Sequence, residues 1–433
     1  MHDRRDLLQA HRLMTHRMSQ ALLCGEPDSR NRPLRRMYAA SACAVVAGVI
    51  AAGVFAALGL FLPRSGHVTG LNQPGTLVVD TDTMTAFVPC AGGELCPAVN
   101  LASALLALDS PGATRRVAVT TGALAGYAIG PAVGIAGLPP MLPAASALVR
   151  GPWSVCAADG ATVLVGGVST GGRALGPSDA ALVSAAGGEW LLWDATRLAI
   201  QPAVAQTLFD AGPVKVPLAW LDSLPRGPDF AAPALPGAGQ LVAGPSGADA
   251  AAGQVYVQQS PPQFYVLTAD GRLAPVTAVA AALLERVPGA QPAQPISPSM
   301  AASDLGSAAV QTNGLPATVP RIAAASSALC AVYGAGPGPA MTVGGTVPSG
   351  GSTAGTAGDV RAWFPAGGGA LVRSAQGWFL LAGAHRYPVQ SAAAAQALGY
   401  DLGRDAVPLP VSVTDLLAPG PALDLAAAKS PAG

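Results

Sequence analysis

The chain has 433 residues, of which 11% are charged and 51% hydrophobic, and its 24 basic side chains balance 24 acidic ones. That length allows two or three domains, and a formal net charge of zero removes the basic field that nucleic-acid binding requires. Glycine (53) and proline (40) together stay below the share typical of low-complexity disorder, so the composition predicts a packed chain rich in turns.

Residues 4–24 read as an amphipathic helix. Leu7, Leu8, His11, Met14, Met18, Ala21 and Leu22 recur at steps of three and four, with Arg5, Arg12 and Gln20 elsewhere on the cylinder. Gly25, Pro27 and Asp28 end it. Its apolar face has no other core within reach. The expectation is docking on a partner's cytosolic domain through Leu8, His11, Arg12, Met14 and Met18; a lipid surface and a bare solvated helix are the other readings.

Residues 38–62, YAASACAVVAGVIAAGVFAALGLFL, contain no charge. At about 1.5 Å per residue such a helix reaches roughly 37 Å, enough to cross a ~30 Å hydrocarbon core with tilt. A helix is the default there, because in lipid every backbone N–H and C=O needs an internal partner. Arg30, Arg32, Arg35 and Arg36 precede the run and only Arg64 follows closely, which places the N-terminal segment in the cytoplasm and the long remainder outside. The rival is a cleaved signal peptide, whose apolar region of about 7–15 residues lies near the extreme N-terminus; this run is longer and starts later. Gly48, Ala52 and Ala56 stack at four-residue steps, a small-residue face that lets another helix approach.

Cys24 then falls inside and Cys43 in the membrane, while Cys90, Cys96, Cys156 and Cys330 lie in an oxidising exterior. Four cysteines allow three pairings. The close spacing of Cys90 and Cys96 favours a local bridge and leaves Cys156 for Cys330. Zinc competes poorly: the outer region has only His67 and His385 and no CxxC, so no metal is expected.

After a Gly/Pro-containing linker, residues 75–87 alternate as a strand pair and 99–108 read as a helix capped near Asn100. Strand-like runs follow at 162–168 and 190–193. From there the chain repeats itself. Segments 189–224, 264–305 and 377–417 each carry a hairpin with Asp or Gly at its turn, one helix, and a proline-flanked segment ending in a short helix cue. Residues 75–108 form a more degenerate fourth copy. Two intervening blocks, about 111–183 and 306–364, then form one central sheet in a pseudo-two-fold molecule, with a Cys156–Cys330 bridge tying them together. The residues after Pro419 are expected to be loosely ordered.

Catalytic motifs are few. There is no GxxxxGK[ST] and no HExxH. Gly167-Val168-Ser169-Thr170-Gly171 fits the GxSxG pattern, but a serine nucleophile needs a histidine, and only His67 and His385 stand outside the membrane. The bland reading is a Gly-rich turn. The loop 334–338 (GAGPG) has a proline where an anion cradle needs an N–H donor. No cofactor is expected, and function is assigned to surfaces.

Several segments together resemble the EccB family, the single-pass membrane component of type VII (ESX) secretion systems. They are Gln9-Ala10-His11-Arg12-Leu13 with Arg17-Met18 and Ala21-Leu22, Pro33-Leu34-Arg35, residues 97–105, residues 130–142, Trp153 to Cys156, Leu329-Cys330-Ala331-Val332-Tyr333, and the closing run from Arg386-Tyr387-Pro388 to Gly420-Pro421. The resemblance implies a central β-sheet core and four repeat domains tied by a disulfide joining the core segments. It also implies self-association and assembly with EccC, EccD and EccE-like subunits to export WXG100-type proteins. Some family members are labelled ATPases, so ATP enters by family label only. The Cys90/Cys96 pair looks like an addition to the family pattern.

The resulting expectation is an α+β fold: a single transmembrane helix followed by an elongated extracytoplasmic domain with a central β-sheet core and four small αβ repeats in pseudo-two-fold arrangement. The divisions are 1–37 cytoplasmic helix and basic segment, 38–62 membrane helix, 63–74 linker, 75–110 repeat 1, 111–186 core segment A, 187–228 repeat 2, 229–261 linker, 262–305 repeat 3, 306–366 core segment B, 367–418 repeat 4 and 419–433 tail. The protein is expected in the cell membrane, N-terminus inside, as a structural secretion subunit. Peptidoglycan binding by the outer repeats and a hydrolase are the alternatives.

Overall fold

A computed structural model describes residues 4–24, 44, 69–110, 114–307, 310–312, 314–324, 328–334, 338–353 and 360–432. The stretch 38–62 lies outside the described residues apart from Ala44, and with it Gly48, Ala52 and Ala56. Among the described residues no helix is long and apolar enough to cross a membrane. The chain divides into two compact parts.

In the first part, α1 (Arg4–Cys24) is one uninterrupted helix with Asp6 in its first turn, where an acidic side chain complements the helix dipole. Leu7, Leu8, Leu13, Met14, Met18 and Leu22 are all exposed.

The second part is built from one strand pattern used four times. The first module runs β1 (Thr76–Asp80), β2 (Ala86–Pro89), β3 (Leu95–Ala98), α2 (Leu101–Leu108) and β4 (Arg115–Val119); the helical turn α3 (Thr121–Leu124) comes next in the chain, its residues 122–124 counted with the first part. Asn100 starts α2 by accepting the Ser103 N–H at 2.8 Å. Next come β5 (Trp153–Ala158), β6 (Ala161–Gly166) and β7 (Arg173–Ala174). The second module is β8 (Asp179–Ala185), β9 (Gly188–Trp193), β10 (Thr196–Ile200), α4 (Pro202–Leu208), β11 (Val214–Lys215) and α5 (Leu218–Asp222). Its second hairpin turns at Asp194-Ala195, both at positive φ as a tight two-residue hairpin turn requires.

A hairpin of β12 (Leu241–Ala243) and β13 (Asp249–Ala251) leads to the third module: β14 (Val255–Gln259), β15 (Pro262–Leu267), β16 (Leu273–Val276), α6 (Ala278–Leu284), β17 (Gln294–Pro295) and α7 (Pro298–Ser303). Then follow β18 (Arg321–Ile322), β19 (Ala328–Tyr333), β20 (Ala340–Gly345), β21 (Ser352–Thr353) and β22 (Val360–Trp363). The fourth module is β23 (Ala370–Ser374), β24 (Gly377–Ala382), β25 (His385–Val389), α8 (Ala392–Ala397), α9 (Leu402–Asp405), β26 (Ala406–Pro408) and α10 (Val411–Thr414). The chain closes with β27 (Ala418–Pro419) and α11 (Leu425–Lys429).

In every module three strands form an antiparallel meander, a helix crosses back, and the fourth strand pairs parallel to the first. Seven further strands make one sheet, β21-β22-β6-β5-β19-β20-β7, in which β5 and β19 pair antiparallel with Cys156 opposite Cys330. Alternation along these strands separates two faces. Trp153, Val155, Leu164, Leu329 and Ala331 turn to a core shared with Trp220 and Leu221 of the second module and with Val372, Leu381, Val413 and Leu417 of the fourth. Cys156 and Cys330 turn the other way, with Ala328. The outer modules dock in matching fashion. Ala102 and Leu106 of α2 pack on the fourth module, and Val279 and Leu283 of α6 pack on the second.

Three sequence expectations change. β8, inside the segment 111–186 assigned to the core, is the first strand of the second module, and β14, inside the linker 229–261, is the first strand of the third. β8 is buried on both faces, so it reads as a plain apolar run without alternation. The segment after Pro419 is ordered, contrary to its loose composition: Leu423 and Ala428 are fully buried and Asp424 caps α11 by accepting the Ala427 N–H at 2.8 Å.

Candidate functional site

Ser169 occupies an exposed turn before β7, where its Oγ accepts the Gly171 N–H at 3.2 Å. His385 lies on β25 with its ring stacked on Tyr387, centroids 6.1 Å apart, and His67 lies outside the described residues. Among the described residues no hydrogen bond joins Ser169 to a histidine, and no three His, Cys, Asp or Glu side chains gather as metal ligands. Gly167 and Gly171 hold positive φ there, which identifies the Gly-rich stretch with a tight turn.

What the fold concentrates is junctions. The Cys156–Cys330 disulfide joins β5 to β19 across a sequence separation of 174, and Cys90–Cys96 closes a short loop between β2 and β3. On the sheet's opposite face, the buried indole of Trp220 donates from Nε1 to the Val155 carbonyl at 2.9 Å, fixing α5 to the central sheet. The Ser223 carbonyl just beyond α5 accepts the Ser412 hydroxyl at 2.8 Å and the Tyr333 hydroxyl at 3.4 Å, so the second module, the fourth and β19 meet there. Burial pushes the Tyr333 phenol up to about 12.

The second and fourth modules carry the same polar clamp. Arg197 on β10 pairs with Asp222 of α5 and lies 5.3 Å from the Trp190 ring; Arg386 on β25 pairs with Asp415 just past α10 and lies 5.7 Å from the Phe379 ring. Each arginine thereby ties the terminal helix to the meander through an ion pair and a cation–π contact. A second clamp joins the fourth module to the strap before β5. Buried Asp405 accepts Arg404 Nε at 2.9 Å, Arg150 at 2.9 Å and the Asp401 N–H at 2.9 Å. The Arg404 guanidinium, with those further bonds, holds the carboxyl well below the usual range. Tyr400 donates to the Pro143 carbonyl at 2.6 Å beside it.

Sequence reading singled out the cysteines but passed over Arg197, Asp222, Arg386 and Asp415. Their signal was present, because superposing 189–224 on 377–417 aligns both pairs.

On α1 the residues expected to dock, Leu8, Met14 and Met18, are 61%, 69% and 68% exposed, and His11 and Arg12 are exposed beside them.

Against known proteins, the family model described as "Type VII secretion system ESX-1, transport TM domain B" (EccB) matches residues 2–432. The chain is 33% identical over 258 residues to the "ESX-2 secretion system ATPase EccB2" of Mycobacterium tuberculosis, an alignment covering 55% of this chain and 50% of that protein. It is 30% identical over 291 residues to the "ESX-3 secretion system ATPase EccB3" of Mycolicibacterium smegmatis, covering 61% and 53%. The chain thus spans about half the length of these curated relatives. Among solved structures it resembles a chain of the intact ESX-5 inner membrane complex, with a TM-score of 0.65 at 23% identity over 100% of this chain and 96% of that one. It also resembles the EccB3 dimer from the ESX-3 core complex, with a TM-score of 0.64 at 25% identity over 81% and 99%. A match that takes in α1 and all four modules alike makes this chain a member of the EccB family.

Proposed function

We propose that the chain is a structural membrane subunit of a type VII (ESX) secretion complex, held by 38–62 in the cell membrane with α1 inside and the four modules outside. The whole-chain family match carries this reading. In it, α1 docks through Leu8, His11, Arg12, Met14 and Met18 on a partner subunit, and Gly48, Ala52 and Ala56 meet a neighbouring helix. The modules form a pseudo-two-fold body that associates with further copies, and EccC, EccD and EccE-like subunits complete an exporter of WXG100-type proteins. The matched docking of α2 on the fourth module and α6 on the second supports the two-fold reading. The test is affinity purification of the tagged chain from detergent-solubilised native membranes. EccC- and EccD-like subunits are expected to co-elute in one large particle, and recovery as a bare monomer would overturn the proposal.

The relatives' names favour a second reading, an ATP site. This sequence offers no Gly-Lys pair for a phosphate-binding loop. ATP turnover by the purified chain above a buffer control would establish that reading, and its absence would remove it.

A further inference from the structure

A cavity of about 670 Å³ opens where the second module, the fourth module and β19 meet. Its walls are mostly apolar: Pro225, Pro339, Pro408 and Pro410 line it, with Tyr333 at its side. Prolines carry no N–H, so these proline walls offer no backbone donor and side-chain donors stand out. One is Arg373 on β23, exposed and placed across from Trp378 and beside Pro408.

Arg373 differs from the arginines around it. Arg150, Arg197, Arg386 and Arg404 each meet an aspartate, whereas among the described residues Arg373 has no ion pair and no side-chain hydrogen bond, and no Asp or Glu lines the cavity. Two hydroxyls add to it. Ser374 Oγ accepts the Gln376 N–H at 3.1 Å, and among the described residues its own O–H has no acceptor. Tyr333 makes only a long bond to Ser223, 3.4 Å, and its raised phenol pKa keeps it a donor. The cavity therefore selects for negative charge at one side and an extended apolar chain at the other. Grooves walled by aromatic and proline rings suit extended proline-containing segments, and a guanidinium with a neighbouring hydroxyl suits a carboxylate.

We propose that this cavity binds the side-chain carboxylate of an extended, proline-containing acidic segment of a partner protein, with Arg373 and Ser374 on the carboxylate and Tyr333 and the prolines against its flank. The proposal goes beyond the secretion-subunit reading and does not depend on it.

The test uses the full chain in detergent and the peptide Ala-Pro-Pro-Glu-Pro-Ala, amidated at its C-terminus and carrying a neutral fluorophore, read by fluorescence anisotropy. Saturable binding is expected, about 5–10-fold weaker for the Gln counterpart. Arg373→Gln should weaken the Glu peptide to the level of the Gln peptide while leaving the Gln peptide's affinity unchanged, and Arg373→Lys should fall between. Because Arg373 has no side-chain partner among the described residues, an unchanged melting temperature should accompany these variants. Equal affinity for the two peptides, absence of saturable binding, or indifference to Arg373→Gln would each overturn the proposal. So would a Gln peptide with a free C-terminal carboxylate binding as tightly as the Glu peptide, since that would assign the cavity to chain ends.

Discussion

Trp220 shows how one side chain serves both packing and polarity at a junction. Its indole is fully buried between α5 and the central sheet, and its N–H is satisfied by Val155. Trp220→Ala removes a large buried side chain and leaves a cavity, so a loss of ~3–5 kcal/mol is expected. Trp220→Phe keeps most of the contact but removes the indole N–H donated to the Val155 carbonyl, for a loss of ~1 kcal/mol. Urea unfolding of the two variants checks this order; equal losses would mean that the hydrogen bond, not the packing, dominates. Asp405 supplies a pH test. Its carboxyl pKa is lowered in the fold by Arg404, the Asp401 N–H and Arg150, against about 3.9 in an unfolded chain. A depressed carboxylate contributes its stability above the unfolded pKa and loses it as pH falls toward the folded value. Asp405→Asn should therefore be less stable than the parent by ~1–3 kcal/mol near neutral pH, and the gap should close as pH drops below about 4. A gap constant from pH 7 to pH 3 would contradict the clamp.

At the level of elements, much was legible where pattern and cap agreed. The helix after Asn100 and those after Thr277 and Ser391 begin at side chains that accept an N–H three residues on, a local signal needing no tertiary context. The hairpins around Trp190 and Phe379 were legible for the same reason, since apolar strands flank turn residues. The first strands of the second and third modules were not. β8 has no alternation to betray its module, and β14 follows a Gly/Pro-rich stretch that reads as linker although it pairs with β15. What no local pattern carries is close approach between distant segments. Gly369 shows it: at the start of β23, a Cβ there would lie 2.4 Å from the Leu381 carbonyl and 2.5 Å from Pro143. The strap before β5 runs against this point, with the Val149 N–H donating to the Gly369 carbonyl at 2.8 Å. Gly369→Ala must push strand or strap aside, and a loss of ~1–3 kcal/mol is expected. Faster amide exchange at Val149 should accompany it. Unchanged exchange there would show that the strap yields at no cost.

Across the whole molecule, the two disulfides and the C-terminal segment act over very different lengths of chain. Cys156–Cys330 closes a separation of 174 residues and Cys90–Cys96 one of 6, so in the chain-entropy view the former stabilises more. Replacing both Cys156 and Cys330 by Ala should cost ~2–5 kcal/mol and the Cys90/Cys96 double replacement less, as read from denaturant midpoints; the reverse order would refute that account. The end of the chain works without a covalent bond. Composition made 419–433 look loose, because Ala and Pro carry no periodic signal in so short a stretch. Yet these residues return to the first module: Ser430 accepts the Gly134 N–H at 3.1 Å, the Ala432 N–H donates to Ala132 at 2.8 Å, and Lys429 reaches Asp109 at 3.3 Å. Leu423 and Ala428 share a core with Leu106 of α2 and Leu380 of the fourth module. The segment thus pins the first module to the fourth, a role for which the packing of α6 on the second module shows no chain-end counterpart. Deleting 424–432 should raise amide exchange in 101–108 and 128–135 while leaving the second and third modules at their parental rates. Unchanged protection in the first module would mean that α2 alone holds it in place.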